Sequence, residues 1–211
     1  MDRMKVVQIA RTYLGVKEGT RKHKQIIDIY NTVKPDGYTA KYTDPWCSEF
    51  VTACFISAYG KEKASEIMAL SASCSRMVTK AKKMGIWVEK DSYHPKAGDV
   101  ILYDWQDSGK GDNKSNPDHV GLVSAQSNKG FIVIEGNKSN AVGLRELKFD
   151  AKYIRGFIKP KFDVEAYDHD LIMKLADEVI AGKHGNGAAR KKSLGKYYDE
   201  VQREVNRRLK K

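Results

Sequence analysis

The stretch Thr43-Asp44-Pro45-Trp46-Cys47-Ser48-Glu49-Phe50-Val51 reads as the entry of a helix with a cysteine in its first turn. Asp44 is a good N-cap and Pro45 suits the first helical position, where a missing amide proton costs nothing. Cys47 then falls at the third helical position. There the unpaired amides and the positive end of the helix dipole stabilise a thiolate, turning a thiol of ordinary pKa near about 8.5 into a nucleophile at neutral pH. Phe50, Val51, Cys54, Phe55 and Ala58 form an apolar stripe at helical spacing, and Gly60 follows Tyr59 as a stop. The bland alternative is that Cys47 is a small buried hydrophobe. A catalytic cysteine needs a histidine as base and a residue to orient it, and the rest of the chain must supply both.

Bulk properties narrow the field. The chain has 211 residues, 41% of them hydrophobic, enough for one domain with a core and a small appendage. No run approaches the about 18 apolar residues of a membrane helix, and Met-Asp-Arg-Met-Lys lacks the apolar core of a signal peptide. The expectation is a protein made in the cytoplasm. A net charge of +11 predicts attraction to polyanions, whether nucleic acid, anionic membrane or a teichoic-acid-bearing wall. The three cysteines, Cys47, Cys54 and Cys74, are an odd count without metal-type spacing, which argues against a disulfide framework and a structural zinc.

Helical patterns run from Asp2 to Leu14 (Val6, Ile9, Ala10, Tyr13 and Leu14 inward, stopping at Gly15), from Lys22 to Val33, and from Ser73 to Met84 with Gly85 as terminator. The period then changes. Val100–Tyr103 reads as a first strand, His119–Val123 as a second, Phe131–Asn137 as a third and Tyr153–Ile158 as a fourth, giving helices followed by a small, mostly antiparallel sheet. A polar stretch between Pro160 and Leu171 suits a linker. Beyond it, Leu171, Leu175, Val179 and Ile180 mark one amphipathic helix, Ala188–Leu194 a short basic one and Tyr198–Leu209 a third.

His119 opens a strand, and Glu135 and Asn137 lie on the next, two apart and so on one face. With a two-residue hairpin loop His119 would face away from them; the sequence Asn128-Lys129-Gly130 favours a three-residue loop with glycine left-handed, which brings His119 to that same face, and Gly121 leaves room beside it. Cysteine at a helix start, histidine on a strand and a polar residue on the next strand form the nucleophile, base and orienter of a papain-like hydrolase. The Cys47 amide is placed to donate into an oxyanion hole. A zinc hydrolase wants three protein ligands, and no HExxH pair is present. His23, His94, His169 and His184 sit in polar or turn contexts.

In order, DPWCSEFVTACF, PKAGDVILYDW, PDHVGLV, IEGN and YIRGFIKP resemble the CHAP family of cysteine- and histidine-dependent amidohydrolases and peptidases, over roughly Met1 to Lys161. The resemblance implies an α+β, papain-like domain, N-terminal helices on a small antiparallel sheet, that cleaves amide bonds of peptidoglycan. Cys47 would be nucleophile and His119 base, with Glu135 and Asn137 completing the site. LADEVIAGKHGNGAARKKSLGKYYDEVQREVNRRL resembles the wall-binding repeat of the Cpl-seven type, a small three-helix bundle recognising muropeptide. Its usual GKWGNG appears as GKHGNG, with His184 replacing an aromatic contact; Asn186 and Arg190 are the candidate contacts. The implied organisation is 1–161 catalytic, 162–169 linker and 170–211 wall-binding. The aspartates that some CHAP enzymes place before the cysteine for calcium are missing, and the loop 104–113, though rich in oxygens, reads as solvated, so no metal or cofactor is expected. The implied protein is a monomeric phage endolysin without export signal, released to the bacterial wall, with peptidoglycan as partner, no nucleic acid and no membrane insertion. Its bond is the N-acetylmuramoyl-L-alanine amide or, alternatively, one in the stem or cross-bridge. The basic three-helix segment also has a superficial likeness to a helix-turn-helix, but nucleic-acid binding gives Cys47, His119 and Glu135 no role. A wall-binding protein with a dead catalytic domain is disfavoured because every catalytic position is filled.

Overall fold

The computed structural model describes residues 1–90, 93–106, 115–162 and 169–209. Most of the expected linker, at 163–168, and most of the oxygen-rich loop, at 107–113, lie outside the described residues. The chain divides into two compact units, Asp2–Lys161 and Phe162–Lys211.

The first unit is α+β. Helices α1 (Met4–Arg11), α2 (Arg21–Asn31), α3 (Cys47–Tyr59), α4 (Lys61–Ile67) and α5 (Cys74–Met84) precede β1 (Trp87–Val88), β2 (Val100–Tyr103), β3 (His119–Gln126), β4 (Gly130–Glu135), β5 (Gly143–Lys148) and β6 (Ile154–Ile158). The strands form one antiparallel sheet in the order β1-β6-β2-β3-β4-β5. Helix α3 is central: the expected stripe is buried, but so are Ser48, Glu49, Thr52, Ala53 and Ile56, so the helix is covered nearly all round. Gly60 stops it at φ 78°, and Gly85 ends α5 in the left-handed conformation.

Several expectations need correction. Asp44 does not cap α3, because its carboxylate accepts from Tyr38 Oη (2.6 Å) and the Lys41 amide (2.7 Å) and closes the preceding turn instead. The helix therefore starts later, and Cys47 is its first residue rather than its third. Helix α1 ends at Arg11; Val7 joins Val6 and Ala10 in the core while Leu14 is exposed. His23 is fully buried on α2, its ring against Trp46 with centroids 4.7 Å apart. Tyr153 lies outside β6 at φ 72°, and Asn137 lies beyond β4 at φ 55°. Helix α4 and the strands β1 and β5 carry weak sequence signals; β5 alternates half-buried and exposed residues along GLRELK, a charged edge strand.

The β3–β4 hairpin decides where the histidine points. Gly130 is not left-handed; it belongs to β4, where a Cβ would strike the Leu147 backbone carbonyl. Counted from the turn pair Gln126↔Phe131, regular pairing would bring Val123 opposite Ile134 and turn His119 away from Glu135. Ser124 bulges out, so that Val123 pairs with Val133 and Leu122 with Ile134. Alternation then puts His119, Gly121, Val133 and Glu135 on one face. This face carries a cluster of Ile101, Tyr103, Val123, Phe131, Val133 and Phe157.

The second unit is a three-helix bundle of α6 (His169–Ile180), α7 (Gly187–Leu194) and α8 (Tyr198–Leu209). Ile172, Ala176, Val179, Leu194, Val201 and Val205 close its core.

Gly121 is the close-approach point of the site face: a Cβ there would meet the Val133 side chain and lie 2.8 Å from Glu135 Cγ. Gly121→Ala should cost about 1–3 kcal/mol of stability, as overpacking does, measured by thermal and denaturant unfolding. An unchanged midpoint would mean the hairpin is looser than described.

Candidate active site

The entry to α3 is clamped before the cysteine. The fully buried Trp46 packs edge-on against Phe50 and donates its indole N–H to Glu18 Oε2 at 3.0 Å. Cys47 follows at the first helical position, only 7% exposed, where the amides of the first turn have no intrahelical acceptor.

Two elements converge on it. From β3, His119 faces Glu135 on β4, with Nε2 3.3 Å from Oε2; its ring also interacts with the Cys47 thiol. From the start of α5, Cys74 joins Cys47 through the hydroxyl between them: Ser48 Oγ lies 3.2 Å from Cys74 Sγ and 4.0 Å from Cys47 Sγ. The neighbouring Cys74 thiol and the His119 imidazole hold the Cys47 thiol well below its usual range, outweighing its burial. Burial alone would lower the His119 pKa, but hydrogen bonds and charge from Cys47 and Glu135 outweigh it and raise it to about 9. At neutral pH the site is a thiolate–imidazolium pair.

Glu135 has no exposed side-chain surface, and burial would drive it towards the neutral acid. His119 and Arg145 reverse that. Arg145 donates Nε to Oε1 at 2.6 Å and Nη2 to Oε2 at 2.9 Å, a two-pronged grip that leaves the carboxylate ionised. Arg145 also lies over the rings of Tyr103 and Trp105, 5.4 and 5.2 Å from their centroids. Trp105 stacks on Tyr103 at 4.8 Å, and both flank the imidazole. Burial beside Glu135 pushes the Tyr103 hydroxyl well up, so it stays protonated. Glu49, 1% exposed and two residues after the nucleophile, is pushed up to about 8 by desolvation, with Cys47 adding to the effect. A neutral Glu49 leaves the thiolate without an anionic neighbour in its own turn.

The sequence-predicted residues fare unequally. Cys47, His119 and Glu135 are brought together. Asn137 follows the end of β4 at φ 55°, after Gly136, where a Cβ would be 2.7 Å from Phe50 Cγ, and among the described residues its side chain makes no hydrogen bond. Arg145, Tyr103, Trp105 and Cys74 were missed. Arg145 stands opposite Val133 in the ladder, diagonal to Glu135, and could be found only once β5 was recognised. Among the described residues no group of three or more His, Cys, Asp or Glu side chains is arranged to hold a metal ion.

In the second unit, Asn186 and Arg190 are adjacent and bonded to each other, Nη2 to Oδ1 at 2.7 Å; Arg190 also donates to Gly185 O and Gln202 Oε1, both at 3.0 Å. His184 bridges Ser193 Oγ (2.8 Å) and Glu178 Oε2 (3.0 Å), tying the glycine turn to α6 and α7.

A CHAP domain model matches residues 37–137, which span Cys47, His119 and Glu135. A CW_7 repeat model matches residues 173–209. The chain carries a CHAP domain followed by a CW_7 cell-wall-binding repeat. The CHAP domain is papain-like and implies hydrolysis of peptidoglycan; the CW_7 repeat implies cell-wall binding and so action at the wall. Neither a curated protein nor a solved structure matches the chain. Among the described residues no helix is long and apolar enough to cross a membrane. Arg145 lies beyond the end of the CHAP match, in the strand that completes the site.

Alkylation of Cys47 by iodoacetamide, followed by mass spectrometry, should be nearly independent of pH from about 6 to about 8, whereas an ordinary thiol gains about tenfold per unit below its pKa. Hydrolysis should fall as pH rises through about 9, where His119 loses its proton. A tenfold rise in alkylation per unit would refute the ion pair.

Proposed function

We propose that the chain is a peptidoglycan amidohydrolase that works through a covalent thioester on Cys47. The single observation that carries this reading is the convergence of Cys47, His119 and Glu135, from three different elements, into one buried thiolate–imidazolium–carboxylate set. The thiolate attacks the carbonyl carbon of the scissile amide, forming a C–S bond. The oxyanion is held by the Cys47 amide at the helix start, a group without an intrahelical partner. The His119 imidazolium protonates the amide nitrogen, the C–N bond breaks and the amine departs. Water then attacks the thioester while His119 takes its proton; the C–S bond breaks, releasing the acid and restoring the thiolate and imidazolium. Glu135 orients the imidazole through Nε2, leaving Nδ1 for the sulfur, and Arg145 holds Glu135 in place. Asn137, whose side chain makes no hydrogen bond among the described residues, is assigned no part in proton transfer.

In this reading residues 1–161 are catalytic, 162–169 connect, and 170–211 bind the wall through Asn186 and Arg190, with Arg190 suited to an acidic or carbonyl group of the stem peptide. The protein is a monomeric phage endolysin, made in the cytoplasm and released to the wall, that needs no cofactor. Its target is the N-acetylmuramoyl-L-alanine amide.

Mass spectrometry of purified Gram-positive peptidoglycan digested by the protein tests this. Intact stem peptides freed from glycan are expected, and Cys47→Ala should lower turnover by roughly four orders of magnitude or more while still binding walls. Shortened or uncrosslinked muropeptides would instead identify an endopeptidase. Products from Cys47→Ala at the wild-type rate would overturn the thioester route.

A further inference from the structure

The hydrolytic chemistry uses one sulfur, but the site contains two. Cys74 opens α5 as Cys47 opens α3, so two helix starts deliver a pair of thiols to one place. The Ser48 hydroxyl touches both, at 3.2 Å from Cys74 Sγ and 4.0 Å from Cys47 Sγ. The fold fixes this approach. Thr52, one turn on from Ser48, donates its hydroxyl to the Ser71 carbonyl at 3.0 Å and accepts from the Ser71 amide at 3.3 Å. Ser71 in turn accepts from the Ser73 amide, and Ser73 caps α5 through the Arg76 amide. A short hydrogen-bonded chain thus ties the middle of α3 to the first turn of α5.

The two thiols differ in character. Cys47 is the ionised member, and its presence, with burial, pushes the neighbouring Cys74 thiol well up, so that Cys74 remains the proton-bearing partner. A reactive thiolate beside a second, protonated thiol is the arrangement of an attacking and a resolving cysteine. Cys54 provides the contrast: it is fully buried along α3, and burial pushes its pKa up.

We propose that Cys47 and Cys74 form a reversible disulfide when the protein meets a hydroperoxide, parking the nucleophile in a recoverable state. The Cys47 thiolate attacks the O–O bond of the peroxide; an S–O bond forms, the O–O bond breaks, and the alcohol or water leaves after protonation. Cys74 then attacks the Cys47 sulfenic sulfur. The S–S bond forms, the S–O bond breaks, and the Cys74 proton leaves with the hydroxide as water. Two thiols are oxidised to one disulfide as one peroxide is reduced. Cys47 keeps 7% of its surface open for a small oxidant, and the second step is internal to the site.

The inference rests on the reading of Cys47 as the reactive thiolate, but its test does not depend on hydrolysis. The full-length reduced protein is treated with limiting hydrogen peroxide, quenched with an alkylating agent and analysed by intact mass and peptide mapping. The expected result is loss of two hydrogens, a Cys47–Cys74 cross-linked peptide, an unmodified Cys54, and return of the starting mass with a thiol reductant. In Cys74→Ser, which lacks the resolving thiol, two or more equivalents of peroxide should carry Cys47 to the sulfinic acid, a gain of two oxygens that the reductant does not reverse, whereas the wild type at that dose should still form the cross-link. Cys54→Ser should still form the cross-link. Sulfinic acid on wild-type Cys47 without loss of two hydrogens, a cross-link through Cys54, or a peroxide-inert Cys47 would each overturn the proposal. Cross-linking in a protein that cleaves no peptidoglycan would instead leave it standing and count against the hydrolase reading.

Discussion

A carboxylate removed from water stays ionised only where its partners outweigh the lost hydration, and the site is arranged around meeting that condition at Glu135. At 3.3 Å and an effective dielectric of about 20, the attraction of one imidazolium is about 5 kcal/mol, the same order as the several kcal/mol of desolvation. One partner therefore only balances the burial. Arg145 supplies the surplus through two hydrogen bonds, and it can do so because β5 pairs with β4 in the register that sets it diagonal to Glu135. The bulge at Ser124 and the bare Cα of Gly121 serve the same contact from the other side, one turning His119 to the right face and the other making room for the Glu135 stem.

The imidazolium so anchored stabilises the thiolate on one side. On the other, α3 and α5 contribute. Starting α3 at Cys47 puts the sulfur at the very end of the helix, where the unpaired amides and the dipole favour negative charge. Cys74 offers an S–H donor, while Glu49 avoids competing by remaining neutral. The aromatic wall of Tyr103 and Trp105 flanks the imidazole and keeps a strongly polar pair in a poorly hydrated place.

The sequence was legible where chemistry and local periodicity coincide. Cys47 before an apolar helix, His119 at the head of a strand and Glu135 at the end of the next could be read directly, and the α+β order of elements followed from the change of period after Gly85. What escaped was decided by tertiary structure. Asp44 has the identity of a cap, yet Tyr38 and Lys41 claim its oxygens. The turn residues predict the shared face of His119 and Glu135 from a left-handed Gly130, but a bulge at an unremarkable serine produces it. Alternation predicts Asn137 on the strand, whereas β4 ends at Glu135, just before Gly136 packs its bare Cα on Phe50. Arg145 and Cys74 are invisible as site residues in one dimension, since their roles come from an edge strand without β-branched residues and from the start of a helix 27 positions beyond the nucleophile.

The protonation state of His119 at neutral pH tests this account most directly. Nitrogen-15 NMR of the labelled protein should show both ring nitrogens of His119 protonated at about pH 7, with the proton lost only as pH rises through about 9. A His119 that is neutral at pH 7 and titrates at or below the ordinary range would contradict the thiolate–imidazolium pair and the role assigned to Glu135 and Arg145.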